Sequence, residues 1–93
     1  MPYYALVYDL VDDYMTRRGE FRGEHLKLAA ASHARGELLL AGAFADPPDQ
    51  ALLVFRAEDR SVPELFVRED PYVIHRLVKS WKVRPWTVVI GDE

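Results

Sequence analysis

The sequence predicts a ferredoxin-like α+β sandwich, one antiparallel sheet with two helices on one face, and three observations carry that expectation. Its segments run in the order strand, helix, strand, strand, helix, strand. The second and third strands are joined only by "ADPPDQ", which is too short for a parallel crossover, so they pair antiparallel. The strands are also apolar on both faces, so the side that the helices do not reach needs a cover of its own.

Residues 3–10, "YYALVYDL", are aromatic and β-branched and read as the first strand. The polar "DDYMTRRGEFRG" that follows contains two glycines and reads as a loop or a broken first turn, with Arg17 and Arg18 in solvent. Residues 22–35, "RGEHLKLAAASHAR", are good helix formers, and Gly36 is a natural stop. "ELLLAGAF" reads as a buried second strand and "ALLVFRA" as the third, antiparallel to it. Ser61 with Glu64 three residues on is a capping box for a helix over residues 61–69, with Pro63 in its first turn. Asp70 before Pro71 reads as the N-cap of a third, short helix, and "SWKVRPWTVVI", residues 80–90, as the closing strand. No repeat or linker divides residues 1–93, which read as one domain.

In the second strand, Leu38, Leu40 and Phe44 alternate with Leu39, Ala41 and Ala43. The third sets Leu52 and Val54 against Leu53 and Phe55, and the first sets Tyr4, Leu6 and Tyr8 against Tyr3, Ala5 and Val7. Two helices cover one face only. A second copy of the sheet, packed across a two-fold axis, is the simplest cover for the other, and a homodimer is therefore expected.

Composition removes several function classes. Twelve Lys and Arg against fifteen Asp and Glu leave a net charge of −3, with no general attraction to nucleic acid or membrane phosphate. With no cysteine there is no disulfide, thiolate nucleophile or Cys-based metal site, and a reduced, cytoplasmic setting fits. No stretch approaches the ~18 apolar residues of a membrane helix. The three histidines, at 25, 33 and 75, lack the i, i+4 spacing of a helical metal site, so no metal is expected. The serines lack a nucleophile elbow, and the glycines form neither a P-loop nor a dinucleotide fingerprint.

What remains is His25 near the start of the first predicted helix and Asp70 at the break before Pro71. The run from Arg22-Gly-Glu-His25-Leu26 into Gly36-Glu-Leu38 and Ala41-Gly42, then Asp70-Pro71-Tyr72 and a terminal Arg84-Pro85-Trp86, resembles the YciI (YCII-related) family of small proteins. The resemblance covers nearly the whole chain in the right order. It implies a dimeric α/β barrel and a pocket in which His25 and Asp70 form a catalytic pair, with Arg22 three positions before the histidine. Some relatives look like dehydrochlorinases or isomerase-like enzymes of aromatic breakdown. The chain departs from the family at Ala43, where Gly-Pro is common, and at Arg76, where a glycine often follows the Asp-Pro-Tyr segment. Arg76 could narrow or recharge the pocket.

The chemistry stands apart from the resemblance. A neutral imidazole titrates near ~6.5, so it can take a proton from a carbon acid and return it elsewhere without a cofactor. A buried carboxylate on its other ring nitrogen fixes the tautomer. Arg22 could hold an anionic or phenolic small molecule, with Tyr72 also in contact. Each residue has a plainer reading. His25 can be a solvated first-turn residue, Asp70 only a cap, and Arg22 a surface partner of Glu20 or Glu24. Tyr72, Trp81 and Trp86 can be packing residues of the core or a dimer interface. At the level of the whole protein, a non-catalytic binding or accessory dimer is the alternative to an enzyme.

Overall fold

The computed structural model describes residues 1–91. Its elements are β1 (Tyr3–Leu10), α1 (Tyr14–Ala34), β2 (Leu38–Ala43), β3 (Gln50–Arg56), α2 (Ser61–Glu69), α3 (Pro71–Ile74) and β4 (Val78–Trp86). The four strands form one antiparallel sheet in the order β2-β3-β1-β4, the ferredoxin-like arrangement that the sequence predicts.

Alternation sets the two faces. Tyr4, Leu6, Tyr8 and Leu10 of β1 are buried, as are Ala51, Leu53 and Phe55 opposite them on β3, and with Phe66, Val67, Tyr72 and Leu77 they form the core. The other face carries Tyr3, Ala5 and Val7, only partly buried, beside Leu52 and Val54. A register shift between Leu38 and Leu40 changes the alternation expected for β2. Leu38 pairs with Phe55, but Leu40 pairs with Val54 and Ala41 with Leu53, so Leu40 turns to the open face and is 73% exposed. Trp81 and Trp86 are half-exposed and outside the core.

The first helix is longer than expected. It begins at Tyr14, so the segment read as a loop is two turns of helix. Gly19 and Gly23 disfavour helix by about 1 kcal/mol each, and tertiary contacts outweigh that. Tyr14 is buried, Phe21 stacks on the His75 ring at 4.1 Å, and Arg17 donates to the His75 carbonyl at 2.9 Å. Gly36, at φ +81°, ends the helix in the left-handed conformation; its N–H donates to His33 and that of Glu37 to Ser32.

The same termination recurs at α3 with Arg76, at φ 62°, in the glycine position; its N–H donates to Val73 and that of Leu77 to Tyr72. A glycine suits this place for backbone reasons, and Arg76 is not among the residues that line the cavity described below.

Two further expectations are corrected. Ser61 does not cap α2. Asp59, two residues earlier, accepts from the Ser61 N–H at 2.8 Å and from its hydroxyl, while Glu64 pairs with Arg60 at 3.1 Å instead of closing a capping box. The last strand starts at Val78 and stops at Trp86, which pairs with Tyr3, the first residue of β1; beyond it the ladder has no partner, and Val89 and Ile90 are exposed. No helix among the described residues is long and apolar enough to cross a membrane.

The two left-handed terminations predict opposite effects in thermal melts. Gly36→Ala should destabilise by about 1 kcal/mol, and Arg76→Gly should stabilise by up to about the same amount. Equal signs for the two would contradict the reading.

Candidate functional site

Asp70 is placed by its neighbour. Proline disfavours helical geometry in the residue before it, and Asp70 is extended (φ −72°, ψ 118°) between α2 and α3. The chain therefore breaks at Asp70, and its side chain turns inward until none of it is exposed. A buried carboxylate without partners is costly, and three donors meet this one. The Tyr8 hydroxyl donates to Oδ2 at 2.7 Å, the Tyr72 N–H donates to Oδ1 at 3.0 Å, and His25 Nδ1 lies 2.8 Å from Oδ1. The bond from Tyr72 is the helix cap, so Asp70 caps α3 and holds His25 at once.

His25 is fixed by more than that bond. Its ring stacks on Tyr72 (3.9 Å between centroids, 6° between planes) and meets the edge of Phe66 at 6.4 Å. An ionised carboxylate only accepts hydrogen bonds, so Nδ1 carries the proton. The lone pair of the neutral ring is then on Nε2, which has no bonding partner among the described residues. A base with its tautomer set and its second nitrogen free is what proton transfer requires.

Beside His25 lies a cavity of about 370 Å³ between α1 and the sheet. Its walls are the side chains of Tyr8, Tyr14, Arg18, Arg22 and Tyr72, and the small residues Ala41, Gly42 and Ala43 of β2 leave the space open. All four residues that the sequence singles out, His25, Asp70, Arg22 and Tyr72, are thus in one place, Asp70 just behind the wall. Arg22 pairs with neither Glu20 nor Glu24 and faces the cavity, and Tyr72 belongs to both core and wall.

Arg18 and Tyr14 also line the cavity, and the sequence reading misses both. Residues 14, 18, 22, 25 and 29 follow one helical face, a signal available only once the helix is carried back through Gly19 and Gly23. The Arg18 guanidinium lies 5.7 Å from the Tyr14 ring centroid, and Tyr14 meets Tyr72 edge-on at 5.7 Å. Neither Arg18 nor Arg22 has an acidic partner among the described residues. Nor does any group of three His, Cys, Asp or Glu side chains there come together as metal ligands. The Tyr72 hydroxyl, though buried, meets no hydrogen-bond partner among the described residues.

No family model matches the chain, and no curated protein matches it in sequence. Solved structures do match. The chain is similar to 5-chloro-2-hydroxyhydroquinone dehydrochlorinase (TftG) from Burkholderia phenoliruptrix AC1100, in complex with 2,5-dihydroxybenzoquinone, at TM-score 0.79 and 15% identity over 98% of this chain and 99% of that one. It is similar to protein Atu4242 from Agrobacterium tumefaciens at TM-score 0.64 and 13% identity, over 98% and 96% of the two chains. A NIPSNAP family protein from Agrobacterium tumefaciens C58 matches at TM-score 0.60 and 15% identity, over 98% and 88%. At such identities the likeness shows the ferredoxin-like fold and nothing of activity.

Two outcomes follow from the site. Asp70→Ala strands three donors and should cost about 3 kcal/mol or more, whereas Asp70→Asn still caps Tyr72 and should cost about half that or less. Chemical denaturation of the two variants checks it, and equal losses would contradict the shared-carboxylate account.

Burial, and after it the Asp70 charge, pushes the Tyr8 phenol well above the ordinary tyrosine range. Burial chiefly, with Tyr14 beside it and against the pull of Arg22, pushes Tyr72 up to about 12. Both folded values exceed the unfolded one near ~10, so the stability these neutral phenols lend is whole below that pH and is lost as pH rises above it. Melting temperature should fall steadily above about pH 10; a flat profile there would contradict this.

Proposed function

We propose that this protein is a YciI-like, cofactor-independent enzyme that moves protons on a small anionic or phenolic molecule held in the cavity. The observation that carries the proposal is the buried Asp70 carboxylate 2.8 Å from His25 Nδ1, with Nε2 left for the cavity. His25 Nε2 takes a proton from the substrate, and Asp70 stabilises the imidazolium that forms. The proton returns at a second position in an isomerisation, or an anionic group leaves in an elimination. Arg22 favours substrates with negative charge, and Tyr72 forms the wall beside the base.

The motifs that resemble the YciI family supply six of the residues around the cavity, Arg22, His25, Leu26, Ala41, Gly42 and Tyr72. The fold shared with a dehydrochlorinase that was solved with a dihydroxybenzoquinone is a reason to test phenolic substrates first. A cysteine-free, mildly acidic chain suits a cytoplasmic setting and gives no reason to expect nucleic acid or membrane as a partner.

The test is a panel of chlorinated hydroquinones, read as chloride release, and of cyclic enols and keto acids, read as deuterium uptake from solvent. At least one compound should turn over, and His25→Gln should slow it by about 10²–10⁴. A panel with no turnover, or turnover indifferent to His25, would leave a non-catalytic binding protein.

The second part of the proposal is a homodimer built on the open sheet face, where Ala5, Val7, Leu52 and Trp86 form a shallow apolar hollow edged by Lys82 and Arg84. Light scattering should give twice the chain mass, and Leu52→Asp should halve it. A monomeric parent would remove the argument.

A further inference from the structure

Proton transfer by His25 and Asp70 makes little use of two guanidiniums and one phenol that also face the cavity. Arg18 and Arg22 are one helical turn apart on α1, both line the cavity, and neither has an acidic partner among the described residues. Asp70, behind the cavity wall, is wholly buried with its oxygens taken by three donors. In a chain of net charge −3, the cavity is a locally positive place. None of the described residues that line it is acidic.

The Tyr72 hydroxyl is the second observation. The residue is 3% exposed, its oxygen has no hydrogen-bond partner among the described residues, and it is part of the cavity wall. A buried hydroxyl left unsatisfied is destabilising, and such groups usually find a partner. Around it Tyr14 lies edge-on and acts on the hydroxyl without reaching good hydrogen-bond geometry, and His25 stacks face to face. With its pKa pushed up to about 12, the phenol stays protonated near neutral pH and acts as a donor.

We infer that the cavity selects a small ring compound bearing both a carboxylate and a hydroxyl or carbonyl oxygen, the carboxylate held by Arg18 and Arg22 and the second oxygen by the Tyr72 hydroxyl. Two guanidiniums suit one carboxylate, whose two oxygens accept several donors. A planar ring suits the stacked His25 and Tyr72 beside it. This rests on the proton-transfer reading and narrows it. Where that oxygen is a ring carbonyl, removal of an adjacent C–H proton by His25 Nε2 shifts the electron pair onto the carbonyl oxygen as an enolate, to which Tyr72 donates. Arg18 thereby becomes a specificity-determining residue, and Tyr72 the donor that meets the developing charge.

The test reads binding without turnover. Benzoate, its ortho, meta and para hydroxy derivatives, and neutral benzamide are titrated calorimetrically into the parent, Arg18→Gln and Tyr72→Phe. Benzoate should bind about tenfold more tightly than benzamide, and at least one hydroxy isomer about tenfold more tightly than benzoate. Arg18→Gln should weaken every carboxylate about tenfold and keep the gain from the hydroxyl. Tyr72→Phe should abolish that gain, leave benzoate unchanged and melt no lower than the parent, because it removes only an unpaired oxygen. Equal affinity for benzamide and benzoate, absence of binding, or a hydroxyl gain that survives in Tyr72→Phe overturns the inference. His25 is not varied, so a failure here leaves the proton-transfer reading standing, and a failure of that reading leaves these affinities as they are.

Discussion

One buried carboxylate organises this molecule. Asp70 sits at the position where α2 is broken and α3 begun, because Pro71 forces the residue before it out of helical geometry. Once buried, its charge must be met, and the three donors that meet it come from β1, α1 and α3. The first strand, the long helix and the short one are therefore tied at a point, through bonds to a charged group worth about 1.5–3 kcal/mol each. The same tie orients His25. Structural and chemical demands on Asp70 are thus one demand, which is why the residue reads equally well as a cap and as the orienter of a base.

The cavity follows from the residues packed around that tie. Small residues at the end of β2 leave volume against the sheet, while α1 presents an unbroken stripe of large polar and aromatic side chains from Tyr14 to His25. The stripe puts Arg18 and Arg22 on a cavity that no acidic side chain lines among the described residues, and Asp70 is engaged by its own donors. One ring thus separates the two charged groups: the guanidiniums on the cavity side of His25, the Asp70 carboxylate on the other.

The order of elements, the antiparallel pairing and the Asp70 break were legible because each rests on local chemistry: strand composition, a short proline turn, a proline after an acid. His25 and Arg22 were legible as candidates by elimination and by the motifs around them. Arg18 and Tyr14 were not, since Gly19 and Gly23 read as loop, and the contacts that keep them helical, Phe21 on His75 and Arg17 on a carbonyl, join segments 54 and 58 residues apart. The bulge in β2 was hidden for a related reason, as alternation along one strand cannot show a slip against its neighbour. The capping box failed to form because Asp59, two residues away, already accepts from the same N–H and Glu64 pairs with Arg60.

Everything proposed for the site depends on which nitrogen of His25 carries the proton while the ring is neutral. Nitrogen-15 NMR of the imidazole, recorded above its titration midpoint in the ligand-free protein, reads that directly. With Asp70 ionised and bonded to Nδ1, the resonance of Nδ1 should be that of a protonated nitrogen and the resonance of Nε2 that of a bare one, and Asp70→Asn should mix the two tautomers. A neutral ring protonated on Nε2 in the parent would mean that Asp70 does not hold His25 as described, and the account of the base would fail with it.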